Sequence, residues 1–376
     1  MELSVIILNY KVPAHLLLCV DSVIKAVSGI KAEIIVADNN SQDESLRLLS
    51  QFFPSVKQIP IPENLGFSKG NNIAIQHAKG HYICLLNPDT VIPENCFKEA
   101  LQFAEKYPNL GALGIQLIDG SGNFLPESKR NIPTPKVAMA KLCGFDKSYY
   151  ANHLTKNQIG EVSILVGAFM LMQKERYIQV GGLDEAYFMY GEDIDLSYQF
   201  LKNGFQNYYL GSLSCLHFKG ESTIKDKSFR NRFFGAMQLF YKKHFKTNAF
   251  SVGLVSVGLK LAQQLSLGVA TKKEFKTQAR KLFLVSDSQS LLQNLIKEYE
   301  CVLISEEELL QLKPQNALLV FDATYLGYAE IILFMRQLKR TPFKFRIIPR
   351  MQNLMLGSDQ STQQGAVKFL SLENKK

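Results

Sequence analysis

The sequence predicts an α/β protein built on a mainly parallel sheet, and three observations predict it. Continuous apolar runs alternate with amphipathic stretches through the first ninety or so residues. Polar clusters fall just after those apolar runs. The same alternation restarts near Lys281. Apolar strands separated by helical stretches imply a sheet covered by helices on both faces. At 376 residues the chain is too long for one ordinary core, so more than one unit is expected. With 46% hydrophobic and 20% charged residues it is globular, not disordered.

Taken in order, "LSVIILNY" reads as a buried strand and "AHLLLCVDSVIKAV" has helical spacing. "AEIIVADNN" is a second strand and "DESLRLLSQFF" a second helix. "VKQIPIPE" is a weak strand, and "HYICLLNPD" a strong one. Between them, "NLGFSKGNN" reads as a tight turn leading into the helix "NNIAIQHA". A packed helix would avoid Gly66 and Gly70, since each glycine costs about 1 kcal/mol against alanine. Phe67 is equally out of place in a solvated loop, so something is expected close to this backbone. From Ser121 to Gly160 the pattern loosens, and "GNFLPESKRNIPTP" reads as a long loop crossing the surface. "VSILVGAFMLMQK" restores strand character. "GGLDEAYFMYGEDIDLSYQFLKNGF" combines a glycine turn, an acidic cluster and a helix, and "QNYYLGSLSCLHFKG" reads as a last strand pair.

Residues 247–259 are uncharged but number 13, short of the about 20 that span a bilayer. Their flanks are basic. The segment fits a membrane-surface helix and, equally, a linker helix packed on the first unit. Beyond it, "KLFLVS", "CVLIS", "ALLVFDA" and "FKFRIIP" read as strands of a second, smaller α/β unit. Its first turn, "SDSQS", has no GxGxxG, so a dinucleotide site is not expected there. The expected divisions are 1–245, 246–278 and 279–376.

The six cysteines are scattered with no CxxC pair, which argues against a zinc site or a disulfide framework and fits a reducing cytoplasm. The first residues read as a strand, with no basic region before an apolar run, so no signal peptide is expected. Net charge is +9 and is concentrated: residues 219–246 carry +6 and residues 336–350 another +6, leaving the remainder near −3. Two basic patches on a near-neutral body imply an anionic partner. Without tryptophan or a nucleic-acid motif, an anionic membrane or a phosphate-bearing substrate fits better than nucleic acid.

Ligands of parallel α/β sheets bind at the carboxyl ends of the strands, where this chain places its polar clusters. Asp38 follows a buried strand and can accept hydrogen bonds from a base or ribose, although Asn39, Asn40 and Ser41 also suit a turn and helix cap. Asp89 in "LLNPDT" ends a strongly apolar strand. A carboxylate there suits a hard divalent cation that also holds phosphates, while N-P-D alone is more often a turn. Glu192, Asp193 and Asp195 open a helix, where the dipole favours acids. Three within four residues exceeds what capping needs, and crowded carboxylates suit base chemistry. His217 ends a strand and can complete a metal site with a carboxylate, though a single histidine is more often structural.

"SVIILNY", "ADNNSQD", "NLGFSKGNN", "LLNPDT", "GAFMLMQKE", "GGLDEAYFMYGEDIDL" and "HFKGES" stand in the order found in glycosyltransferase family 2. Residues 1–245 resemble its rhamnosyltransferase-like branch. The resemblance implies a GT-A fold, a nucleoside-diphosphate sugar donor linked to dTDP or UDP, a divalent metal (Mg²⁺ or Mn²⁺), and inversion at the anomeric carbon. Carried over by position, Asp38 and Asn39 hold the nucleoside, with Asn9 and Asn87 also on the donor side. Asn64, Gly66, Phe67, Gly70, Asn71 and Asn72 form the wall beside the diphosphate and sugar, the glycines letting backbone approach ligand. Asp89 matches the last carboxylate of the family's DxD metal motif, whose first acid is here Asn87. His217 matches a metal-ligand histidine, and Asp193 the catalytic base. Glu192 competes for the base role, and Asp195 braces the helix or a donor hydroxyl. The C-terminal unit resembles the Rossmann-like domain attached to some bacterial sugar transferases, with "LMLGSDQSTQQG" similar to a Gly-Ser turn near its end. A docking or regulatory role is expected of it.

The resulting expectation is an inverting glycosyltransferase that moves a sugar, rhamnose among the candidates, onto a polysaccharide or lipid-linked glycan of the cell envelope. It would work in the cytoplasm, peripherally at the inner face of the plasma membrane. Two alternatives stay open. A nucleotidyltransferase would share the sheet and metal, but it usually has a glycine-rich basic loop after the first strand, and "LNYKVPAH" has none. A non-catalytic scaffold would not need the acidic cluster. Donor, acceptor and linkage have no readable code.

Overall fold

Four parallel strands form one half of the first sheet: β1 (Leu3–Asn9), β2 (Ala32–Asp38), β3 (Lys57–Pro60) and β4 (Tyr82–Leu86), in the order β3-β2-β1-β4. The computed structural model describes residues 1–221, 227–245, 281–350, 353–361 and 364–370. The expected linker at 246–278 lies outside the described residues. Alternation along β1 explains why the sheet is covered on both faces. Val5 and Ile7 enter one core with Leu16, Val20 and Val23. Ile6 and Leu8 enter the opposite core with Ile35, Ala74 and Ile75. Each such aliphatic side chain stabilises the fold by about 1.5–3 kcal/mol when fully buried. The helices that cover this half are α1 (Pro13–Ala26), α2 (Ser45–Phe52) and α3 (Gly66–Gln76).

The sheet continues through β5 (Thr90–Val91), β6 (Leu110–Ile118), β7 (Ile159–Glu161), β8 (Phe169–Gln173) and β9 (Gln206–His217), in the order β4-β8-β6-β9-β5 with β7 on β9. Here β8 runs antiparallel to β4 and β6, while β6 and β9 are parallel. Helices α4 (Cys96–Lys106), α5 (Pro135–Leu142), α6 (Lys174–Gln179), α7 (Glu192–Lys202) and α8 (Lys227–His244) complete this unit.

Three elements differ from the sequence reading. Residues 206–217 are one strand and not a pair: its ladder with β6 passes from Leu210 to Ser214 while β6 advances one residue, so the Gly-Ser step is absorbed as a bulge. The helix expected at 71–78 begins at Gly66, so both glycines lie inside it. The stretch read as a surface loop is buried at Ser128, Lys129 and Arg130.

The second sheet contains β10 (Lys281–Val285), β11 (Glu300–Ile304), β12 (Leu318–Asp322), β13 (Lys344–Ile348), β14 (Leu354–Gly357) and β15 (Ala366–Phe369), ordered β11-β10-β12-β13-β14-β15. The first four are parallel and the last two antiparallel. The stretch likened to a Gly-Ser turn thus begins as β14. Helices α9 (Gln289–Leu295), α10 (Glu306–Gln311) and α11 (Tyr328–Leu338) accompany them.

Helix α11 carries much of the docking onto the first unit. The Glu94 carboxylate accepts from the backbone N–H groups of Tyr328 and Ala329 at 2.7 and 2.9 Å, occupying the anion-binding N-terminus of α11. Asp21 on α1 accepts from the Tyr328 hydroxyl and, at 2.6 Å, from Arg350. Arg336 donates to Ser214 at 2.9 Å. Leu17, Leu18, Leu216 and Phe218 share a core with Phe334, Met335 and Leu356. The 336–350 basic patch is therefore largely drawn into intramolecular contacts: Arg346 pairs with Asp359 at 2.7 Å, and Arg336 and Arg350 face the first unit. No helix among the described residues is long and apolar enough to cross a membrane.

Candidate active site

The in-register pairing of β1 and β2 sets Asn9 beside Asp38. Asp38 Oδ1 accepts from Asn9 Nδ2 at 2.7 Å and from the Ser41 hydroxyl at 2.6 Å, and its Oδ2 accepts from the Ser41 amide at 2.9 Å. Asn39 reaches the next motif: its Oδ1 accepts from Leu65 N at 2.9 Å, and its Nδ2 donates to Asn64 Oδ1 at 2.9 Å. Backbone strain gathers at the same edge. The non-glycine residues in the left-handed region are Lys11, Asn40, Gln42, Tyr190 and Lys219 among the described residues. They follow β1, follow β2, precede α7 and follow His217. Such strain costs of order 1–3 kcal/mol each and clusters at functional sites.

Helix α3 is locked to the chain ahead of α7. Phe67 N donates to Phe188 O at 2.6 Å, and the space a Cβ would need at Gly66 (φ 82°) holds that same carbonyl. At Gly70 that space holds the Leu8 side chain. The close approach read from these glycines is thus made to protein. Asn71 donates to Phe67 O at 2.9 Å and Asn72 to Leu183 O at 2.9 Å, so both amides brace the turn.

Strand β5 pairs Thr90 with His217, which brings together two residues far apart in sequence. His217 Nε2 lies 3.3 Å from Asp89 Oδ1 and 3.4 Å from Asn87 Nδ2. Burial works to raise the Asp89 carboxyl, but His217, as charge and hydrogen-bond donor, outweighs it and holds Asp89 below its ordinary range. Nearby His15 is pushed down to about 4 by burial, with Asp89 opposing. Asn87 Oδ1 and His217 Nδ1 are buried without a hydrogen-bond partner among the described residues. Such orphaned atoms beside a carboxylate fit a cation site. No group of three or more His, Cys, Asp or Glu able to hold a metal occurs among the described residues, so the set is one carboxylate, one imidazole and one amide.

Helix α7 begins with its three acids buried, and the fold treats each differently. Asp195 belongs to a structural network with Lys243 at 2.8 Å, His244 at 2.6 Å and the Tyr187 hydroxyl at 3.3 Å, which ties α7 to α8. Glu192 is pushed up to about 8, first by burial and then by the Asp193 charge. Asp193 Oδ2 accepts from Arg130 at 2.7 Å and from Gly167 N at 3.1 Å, and Oδ1 from Ile194 N at 2.8 Å. Gly167 lies one residue before Ala168, whose carbonyl accepts from Asn87 N at 3.1 Å. The segment entering β8 therefore joins the acidic helix to the Asn87–Asp89 turn. Arg130 was missed by the sequence reading. The only signal was a basic pair inside a stretch taken for surface loop.

A parallel half with antiparallel strands beside it and carboxylates gathered at the carboxyl edge is the GT-A arrangement that the sequence resemblance implies. The model of glycosyl transferase family 2 matches residues 4–181, a little under half of the chain. It is similar to an N-acetylglucosaminyl-diphospho-decaprenol L-rhamnosyltransferase of Mycobacterium tuberculosis, 28% identical over 211 residues that cover 51% of this chain and 68% of the relative. It is also similar to the low-salt glycan biosynthesis hexosyltransferase Agl10 of Haloferax volcanii, 25% identical over 252 residues, 64% of this chain and 77% of that one. The crystal structure of S. aureus TarS 1-349 superposes with a TM-score of 0.47 at 15% identity, over 71% of this chain and 73% of that one.

Proposed function

We propose that the protein transfers a hexose, rhamnose foremost, from a dTDP- or UDP-linked donor to a lipid-linked or polysaccharide glycan, with inversion. The observation that carries this reading is the geometry of Asp193, a buried carboxylate held by Arg130 and Gly167 and connected through Ala168 to the Asn87–Asp89 turn. Rhamnose and the lipid-linked acceptor follow what the M. tuberculosis relative is, an N-acetylglucosaminyl-diphospho-decaprenol L-rhamnosyltransferase, and the dTDP- or UDP-linked donor follows the sequence resemblance.

In this mechanism the acceptor hydroxyl loses its proton to Asp193 as its oxygen bonds to the anomeric carbon. The bond from that carbon to the diphosphate oxygen breaks on the opposite face, and the nucleoside diphosphate leaves with the electron pair. Asp38, Asn39, Asn9 and Asn64 hold the nucleoside side. Gly66, Phe67, Gly70, Asn71 and Asn72 shape the wall, and Asn87 faces the sugar diphosphate. Asp89, His217 and the Asn87 amide would hold Mg²⁺ or Mn²⁺, which supplies charge neutralisation to the diphosphate when bound. Glu192, neutral at pH 7, keeps a second negative charge away from Asp193. The basic 219–246 segment would meet an anionic membrane surface on the cytoplasmic side.

The test is to incubate the protein with dTDP- and UDP-sugars, a polyprenyl-diphosphate-linked acceptor and Mn²⁺. Release of nucleoside diphosphate should require the acceptor, and the product's anomeric configuration should be opposite to the donor's. Release of pyrophosphate in a parallel incubation with a nucleoside triphosphate and a sugar 1-phosphate would instead favour a nucleotidyltransferase, and no turnover of any donor a scaffold.

A further inference from the structure

We infer that Arg130 is a positioning residue, fixing Asp193 Oδ2 so that Oδ1 is the oxygen that receives the acceptor proton. This rests on the reading of Asp193 as general base.

Arg130 is held from both sides. Its backbone N–H donates to Ile164 O at 2.9 Å and its carbonyl accepts from Ile164 N at 3.0 Å, pinning it to the segment that leads into β8. Its guanidinium donates to the Leu165 carbonyl and, at 2.7 Å, to Asp193 Oδ2. Arg130 is 7% exposed and Asp193 9%. A buried Arg–carboxylate pair is weak evidence for stability, since the desolvation of two charges offsets their attraction. What such a pair supplies reliably is direction, because the guanidinium fork is planar and rigid.

Direction is what this site needs. An ionised carboxylate offers about four acceptor positions. Among the described residues, Arg130 and Gly167 N occupy both on Oδ2, while Oδ1 receives only Ile194 N. The remaining position on Oδ1 is the one open to an incoming hydroxyl. Without Arg130, the carboxylate plane would be free to turn about the Cβ–Cγ bond away from the direction of the incoming hydroxyl.

Arg130 also sits in the loosely patterned 121–160 stretch. The next residue, Asn131, donates its side-chain amide to Ser148 O at 3.1 Å and Tyr150 O at 3.0 Å, tying Arg130 to the chain after α5. Seating of that segment and aiming of the base are therefore one structural event.

The experiment compares Arg130→Gln, Arg130→Lys and Asp193→Asn in the full chain, measuring kcat, KM for donor and acceptor, and Tm. Arg130→Gln should lower kcat by about 10²-fold, the low end of what general-base help contributes, with donor KM changed less than about twofold. Arg130→Lys keeps the charge and one donor, and should recover about tenfold of that loss. Near-normal kcat in Arg130→Gln while Asp193→Asn is inactive overturns this inference and leaves the base in place. Normal turnover in Asp193→Asn overturns the underlying reading. Equal losses in both Arg130 variants, with lowered Tm and raised donor KM, would make Arg130 a structural residue only and also overturn the inference.

Discussion

His217 Nε2 lies 3.3 Å from Oδ1 of Asp89, and both side chains are buried. The two meet because the two-residue strand β5 lies antiparallel to the end of β9, with Phe218 N donating to Asp89 O at 3.0 Å. An unsatisfied amide oxygen, Asn87 Oδ1, lies beside them among the described residues, which is the basis of the proposed cation site.

The first expectation follows from that pair. Asp89→Ala and His217→Ala should each weaken Mn²⁺ binding, read by isothermal titration with the metal and nucleoside diphosphate. Chelation should abolish transfer by the wild type, because a metal held here would be the main neutraliser of the phosphates. Full turnover in EDTA would assign that neutralisation to a basic side chain.

Asp193→Asn preserves shape and removes basicity. Turnover should fall about 10²–10⁴-fold, while donor affinity changes little, since the proposed nucleoside contacts are at Asp38 and Asn39. Turnover and donor binding should be measured on one preparation. An active variant would move the role to Glu192.

Glu192 sets a pH dependence of stability. Its folded carboxyl titrates near 8, raised by burial and by Asp193 from the ordinary 4.5. Between those values the folded state binds more protons than the unfolded one, so stability must fall as pH rises. The contribution is complete below about pH 4.5 and is lost as pH rises through about 8. Tm followed from pH 5 to 9 should decline, and Glu192→Gln should flatten the decline. An identical slope in the variant would show that Glu192 is already ionised in the fold.

Membrane association should depend on Lys225, Lys227 and Lys242 of the 219–246 segment, since Lys219 and Lys243 there, like Arg336, Arg346 and Arg350, already have intramolecular acceptors. Each basic residue near an anionic surface contributes about 1 kcal/mol. Co-sedimentation with phosphatidylglycerol vesicles should fall steeply with salt, and triple reversal of Lys225, Lys227 and Lys242 to Glu should abolish it. Indifference to vesicles at low ionic strength would assign the segment to a phosphorylated acceptor.

Asp21→Ala removes the acceptor shared by the buried Tyr328 hydroxyl and Arg350. The loss should be roughly 2 kcal/mol, below the 3–5 typical of a fully buried pair because Arg350 keeps part of its surface in water. Chemical denaturation should show a lower midpoint, and limited proteolysis faster release of the C-terminal unit. An unchanged midpoint would mean that Glu94 and the apolar face of α11 suffice for docking.

Much of the fold and part of the site were legible in the residues alone. The apolar runs from "LSVIIL" to "FKFRIIP" locate most of the parallel strands of both sheets, because burial on two faces leaves a pattern that short-range periodicity carries. The motif order points to Asp38, Asp89 and Asp193 at the carboxyl edge for the same local reason: each follows a strand or opens a helix. The site's internal arrangement was not legible. Arg130 and Asp193 are 63 residues apart, and Tyr328 and Asp21 are 307 apart. No periodicity encodes which distant side chain meets which. Tertiary structure alone decided that Gly66 makes room for Phe188, that Asp195 braces α8 while Asp193 faces Arg130, and that Glu94 caps α11. These choices follow from sheet order and from the need to pair every buried charge, conditions that exist only once the chain has packed.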